Sequence, residues 1–178
     1  MRFLMNLFVP CVVVLTLTGC GFSAGNIPAD HFYRLPVATP VNHARLVEIK
    51  SVRAEGIYNE RALLFVEQAR PLEVNRYNYH FWVQTPAALV QTYMQGCLNN
   101  SNAAITPAAS QPAVQIHSVI HAFERVIDKG QTQAVVKLQI NHRIYESTIV
   151  ADSMDMHATV AAYGKAMQQV CEAVARDL

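Results

Sequence analysis

Charged side chains are scarce in this chain, at 15% of residues against about 25% in a typical soluble domain. Lys and Arg total 14 and Asp and Glu total 13, for a formal net charge of +1. Arg2 is the only charged side chain in the first nineteen residues, so a chain without them is close to neutral. A neutral domain has no long-range field with which to gather nucleic acid or acidic headgroups. Nucleic-acid binding is therefore excluded, and partner binding is expected to rest on shape and apolar contact.

Glycine is also sparse, and its seven copies are scattered. They form no phosphate-cradling loop and no Gly-x-Ser-x-Gly elbow, and no Cys-x-x-Cys pair occurs. Ser, His and Asp all occur, but nothing in the sequence brings them together. The obvious metal temptation is His117 and His121. On a helix that spacing would join two imidazoles, but VQIHSVIHAFERVI is rich in β-branched residues and reads as a strand. A strand sets the two histidines about 13 Å apart, too far for ligands of one zinc. Asp152 and Asp155 read as helix caps rather than as a general acid and base. No catalytic residue, metal or cofactor is expected.

A long apolar run is missing as well. Phe3 to Leu17, interrupted by Pro10, is shorter than the roughly 20 residues a membrane-spanning helix needs. It suits a cleaved signal, with Arg2 as its positive start. What closes the run is the most informative feature present. Leu17-Thr18-Gly19-Cys20 has the pattern of a bacterial lipobox, in which small residues admit the peptidase and a thiolate accepts the diacylglyceryl group. Cys11 follows Phe-Val-Pro, lacks those small residues, and would leave with the signal. Gly21 stands where lipoproteins kept at the inner membrane usually carry Asp. Lipidation at Cys20 and the periplasmic face of the outer membrane are therefore expected. The organisation reads as a signal over 1–19, a lipidated cysteine and small-residue tether over 20–30, and one domain over 31–178.

Within the domain, Phe32-Tyr33-Arg34-Leu35-Pro36 reads as an opening strand or extended arm stopped by Pro36 and Pro40. Strands are expected at Leu46 to Arg53, Ala62 to Glu67 and Tyr77 to Val83, the last two paired as a hairpin. Thr85 offers a cap and Pro86 a first helical residue, for a helix to about Asn99. Its inward stripe is Leu89 or Val90, then Met94, Cys97 and Leu98. An Ala/Pro/Ser loop runs from there to Pro112. Val114 to Ile127, a turn at Asp128-Lys129-Gly130, and Thr132 to Asn141 form a second hairpin. Thr132, Ala134, Val136, Leu138 and Ile140 alternate against Gln133, Val135, Lys137, Gln139 and Asn141, as on a sheet with one buried face. Ile144 to Val150 adds a strand. A final helix to Leu178 has the stripe Val160, Tyr163, Met167, Val170, Val174 and Leu178. The fold class is α/β, a mixed or antiparallel sheet covered by two main helices.

Besides Cys20, which would carry the lipid, Cys97 and Cys171 are the thiols left after cleavage, each within or beside the apolar stripe of its helix. If both helices cover the same sheet face, an oxidising compartment joins them as a disulfide. If the helices flank opposite faces, they stay separate buried thiols. The one-sided alternation favours the bridge. Trp82 shares a strand face with Asn78 and His80, opposite Tyr77, Tyr79 and Phe81. Either one aromatic set faces outward, making Trp82 or Tyr79 a candidate partner contact, or both sets are core.

The opening Phe32-Tyr33-Arg34-Leu35-Pro36 resembles the "YYRLP" start of the ABC-type transport auxiliary lipoproteins, the PqiC-like family. The paired strands from Leu63 through Trp82, Thr85-Pro86 with its helix, the hairpin from Val114 to Ile140 and the last helix follow that family's order. Asn141-His142-Arg143 is tighter than the longer hairpin of some members. The resemblance covers nearly the whole mature chain. It implies an α/β domain of the anticodon-binding or TolB N-terminal type. It also implies an auxiliary or docking subunit of an ABC- or MCE-type (mammalian cell entry) intermembrane lipid transport system. The implied partners are MCE-domain or permease components, with the membrane reached through the lipid anchor. The rival expectations are a general envelope-integrity or outer-membrane assembly lipoprotein that binds protein partners only, and a periplasmic lipoprotein hydrolase.

Overall fold

The structure, a computed structural model, describes residues 28–99 and 112–178. The expected signal and lipobox with Cys20, most of the expected tether and most of the Ala/Pro/Ser loop lie outside the described residues. The elements run β1 (His31–Tyr33), β2 (Val47–Ala54), a 3-10 turn (Gly56–Asn59), β3 (Ala62–Glu67), β4 (Val74–Trp82) and α1 (Pro86–Leu98). β5 (Val114–Asp128), β6 (Gln131–Ile140), β7 (Arg143–Val150) and α2 (Met156–Arg176) follow.

The strands form one seven-stranded open sheet in the order β1-β4-β3-β5-β6-β7. β5 is its spine. Along one edge it pairs in parallel first with β2, from Val114 to Ile120, and then with β3, from Glu124 to Ile127. Along the other it pairs antiparallel with β6. β3–β4 and β6–β7 are antiparallel and β1–β4 is parallel, so the sheet is mixed.

Local chemistry places the element ends. The Thr85 hydroxyl accepts a hydrogen bond from the Ala88 amide at the start of α1, and the Asp155 carboxylate accepts one from Ala158 at the start of α2. Asp152 pairs instead with Lys165 at 3.5 Å. Lys129 (φ 42°) and Gly130 (φ 84°) join β5 to β6. Two left-handed residues match the twist of a two-residue hairpin turn.

Thr132, Ala134, Val136, Leu138 and Ile140 are all buried, and their neighbours on β6 are half-buried or exposed. Both helices lie on that face. α2 packs on β6 and β7 and α1 packs on β2. The core joins Leu89, Met94 and Leu98 of α1 to Tyr163, Met167 and Val170 of α2.

After β1 the chain becomes a strap across both helices. Pro36 lies against Gly164 and Ala38 against Gly96. The Thr39 amide donates to Gln168 Oε1 at 3.2 Å, and Gln168 Nε2 donates to the Thr39 carbonyl at 3.1 Å. The Val41 amide donates to the Cys97 carbonyl at 2.8 Å. Helices and strap thus stack on one side of the sheet, while the other face carries neither α1 nor α2.

Two expectations that the sequence left open are decided. The opening strand covers only His31–Tyr33, because Pro36 belongs to the strap. Trp82 is no partner contact. It is 1% exposed, 5.4 Å from the Phe123 ring and 5.2 Å from the Tyr163 ring, centroid to centroid. The end of β4 runs beneath α2, and burial of an indole there is worth more than its exposure.

Candidate functional site

The two helix cysteines form a disulfide, with Cα atoms 6.3 Å apart and a sequence separation of 74. That spacing lies in the usual range. The bridge follows from both helices sharing one sheet face, and it pins α1 to α2 directly under the strap. Cys20, the lipid-attachment candidate, lies outside the described residues.

His117 and His121 stand on β5 with separate partners. His117 Nδ1 is 3.0 Å from Ser51 Oγ, and His121 Nε2 is 3.0 Å from Gln139 Oε1. Among the described residues no group of three or more His, Cys, Asp or Glu is placed to hold a metal ion.

The unusual chemistry gathers instead where β4 leaves regular pairing. Ala62 pairs with Phe81 and Leu64 with Arg76, so Tyr77, Asn78, Tyr79 and His80 form a bulge opposite Leu63. A bulge re-aims side chains and breaks the two-residue alternation. Tyr77 and His80, expected on opposite faces, meet edge to face at 5.3 Å. Below them lies Arg125, buried on β5. Its Nε donates to Thr132 Oγ1 at 2.6 Å, Nη1 to the Tyr77 hydroxyl at 2.8 Å and Nη2 to the Met154 carbonyl. A guanidinium with every branch satisfied is tolerable in a core, and this one ties β4, β5, β6 and the start of α2 together.

The bulge continues outward to the β1 edge. His80 Nδ1 is 2.9 Å from the Tyr33 hydroxyl, and the His80 ring stacks on His31 at 5.3 Å. Burial, and then the positive charges of His31 and Arg125, hold the His80 imidazole below its ordinary pKa. Phe32 stacks on Phe81 at 5.7 Å, with the Arg61 guanidinium carbon 5.6 Å from the Phe32 ring centre. Tyr33 and Trp82 belong to the helix-covered core. Neighbouring residues on a strand face opposite ways, so Phe32 and Phe81 lie on the helix-free face.

Tyr79, the other contact candidate, is 37% exposed at this edge. Sequence reasoning left open whether the Tyr79 or the Trp82 set faced outward or both were core, and it missed Phe32 as a surface aromatic and Arg125 as a core cation. An arginine in the middle of the β-branched run of β5 was the one available signal.

A second concavity, of about 360 Å³, lies between strap and α1 and is lined by Leu35, Pro36, Val83, Leu89, Tyr93 and Gly96 among others. It carries apolar walls and no cluster of titratable groups.

No family model matches the chain, and no curated protein matches it by sequence. Solved structures share its fold. One is a Xanthomonas campestris protein of the family DUF330, with a TM-score of 0.62 and 16% identity over 81% of this chain and 92% of that one. Another is an uncharacterized protein with a TM-score of 0.62 and 14% identity, covering 84% of this chain and 99% of that one. At such identities the likeness is one of fold: a mixed sheet with two helices, as the sequence led us to expect.

Proposed function

We propose that this chain is a non-catalytic lipoprotein, anchored through Cys20 to the periplasmic face of the outer membrane. Its task is to dock an intermembrane lipid transport system of ABC or MCE type. The observation that carries this reading is the union, in one chain, of a lipobox with the fold of a DUF330 protein, the family that corresponds to the PqiC-like auxiliary lipoproteins. The near-neutral composition and the described surface, which presents aromatic and apolar groups rather than an acid–base pair, agree with a docking role.

The test is co-purification. Tagged full-length protein, crosslinked in intact cells and extracted from membranes, is expected to bring down an MCE-domain protein or a permease. Recovery of envelope-structure or assembly proteins alone would refute the transport role. The Cys20→Ala variant is expected to leave the outer-membrane fraction, and its retention there would refute the anchor.

A further inference from the structure

We propose that the β1–β4 edge rests on the phospholipid surface, with Phe32 seated among the headgroups. This inference rests on the anchoring reading above and adds an orientation to it.

Phe32 is 56% exposed, and Tyr79 and Val83 flank Phe81 on the same edge with 37% and 40% exposure. Phe32 and Tyr79 are the exposed aromatics among the described residues, and both lie here. The other exposed large apolar side chains, such as Leu72, Ile144 and Val150, are aliphatic and lie on other strands and turns. Tyrosine concentrates at the membrane–water interface, and phenylalanine serves on the apolar face of segments that lie in it.

The chain itself says which surface this edge meets. Ten residues separate Cys20 from His31, a reach of at most about 36 Å when fully extended. The polypeptide joins the fold at β1, so a lipid on Cys20 keeps this edge within that reach of the bilayer, and the exposed aromatic rings favour its facing the surface. β7, five strand spacings away in the sheet order, lies about 24 Å farther off.

The polar groups at the edge suit headgroups. Arg61 Nε donates to the Trp82 carbonyl at 3.0 Å, which fixes the guanidinium beside the Phe32 ring. Arg61 and Arg76 border a hollow of about 330 Å³ floored by Ala62 and Phe81, and Glu60 pairs with Arg76 at 3.2 Å. A guanidinium fork matches a phosphate. Among the described residues β1 pairs only with β4, which leaves peptide groups along its outer edge unpaired by the described strands. Such groups are costly in hydrocarbon, so contact stops at headgroup depth.

The experiment uses full-length lipoprotein extracted from membranes and reconstituted in phosphatidylethanolamine and phosphatidylglycerol vesicles containing acyl-brominated phospholipid, which quenches nearby tryptophan. Phe32→Trp is compared with Ile144→Trp, against the constant background of buried Trp82. Phe32→Trp is expected to be quenched at least about twofold more strongly. Tyr79→Trp is expected to follow it, and it serves in place of Phe32→Trp if that variant does not fold. Equal quenching at the two edges, in protein whose mass carries the diacylglyceryl group, overturns the orientation and leaves the anchor standing. A protein-facing edge would give that same result. A mass without the lipid overturns the anchor, and the inference with it.

Discussion

Gly164→Ala tests whether the strap is part of the folded core or merely lies upon it. In an unobstructed helix interior the change from glycine to alanine stabilises by about 0.8–1.0 kcal/mol. At Gly164 the new Cβ would sit 2.6 Å from Pro36 Cγ and 2.8 Å from Pro36 Cδ, well inside the ordinary carbon contact of about 3.5–4.0 Å. The pyrrolidine ring is closed onto its own backbone and has no rotamer that clears the space. The strap itself must lift, against the paired Thr39–Gln168 hydrogen bonds and the Val41 amide on Cys97. Overpacking of this kind costs about 1–3 kcal/mol, and losing one strap hydrogen bond adds about 1 kcal/mol. After subtracting the propensity gain, Gly164→Ala should destabilise by about 1–3 kcal/mol, or roughly 2–12 °C in Tm for a domain of this size.

Urea denaturation of the mature protein, followed by Trp82 fluorescence, measures the effect. Gly96→Ala is the internal control. Its Cβ would meet Ala38 Cβ at 3.2 Å, a distance that a few tenths of an ångström of movement relieves, so stability should stay within about 0.5 kcal/mol. Pro36→Ala in the Gly164→Ala background should restore at least about 1 kcal/mol beyond additivity. A Gly164→Ala protein as stable as the parent, or strictly additive with Pro36→Ala, would refute the packing argument.

Trp82→Ala should cost about 3–5 kcal/mol, read as a lower urea midpoint by far-UV circular dichroism, because the indole packs on Phe123 and Tyr163; an unchanged midpoint would return it to the surface. Denatured, unreduced mature protein should offer alkylating reagent no thiol at Cys97 or Cys171, and reduction should expose both. Losing that bridge should remove up to about 4.5 kcal/mol in the chain-entropy limit. His80 is held below its ordinary pKa of 6.5, first by burial and then by the charges of His31 and Arg125. The unfolded chain therefore binds the proton first, and stability falls as pH drops from about 6.5 through the folded value. His80→Gln should flatten that part of the pH dependence of the urea midpoint, and an equally steep dependence in the variant would refute the assignment.

Where chemistry is local, the sequence alone determined the structure. Thr85-Pro86 and Asp155 start the helices because a side-chain oxygen meets an amide three residues on, and Lys129-Gly130 turns the β5–β6 hairpin within two residues. The alternation from Thr132 to Ile140 named the buried face of β6 correctly, since successive side chains on a strand point opposite ways. Together with a cysteine in each helix stripe, it also made the disulfide legible. The expected lipobox rests likewise on a short contiguous pattern, Leu17-Thr18-Gly19-Cys20, which lies outside the described residues.

Only tertiary structure decided the edge. The alternation from Tyr77 to Val83 predicts two regular faces. Pairing with β3 instead throws Tyr77–His80 into a bulge and swings Tyr77 toward His80 and Arg125. The Arg125 partners come from β4, β6 and the start of α2, and the ring above Gly164 comes from a strap 128 residues earlier in the chain. Periodicity reports which side of its own element a residue occupies. What covers that side depends on which distant segment pairs or packs there, so Trp82 is core and Phe32, on the opposite face of the neighbouring strand, is surface.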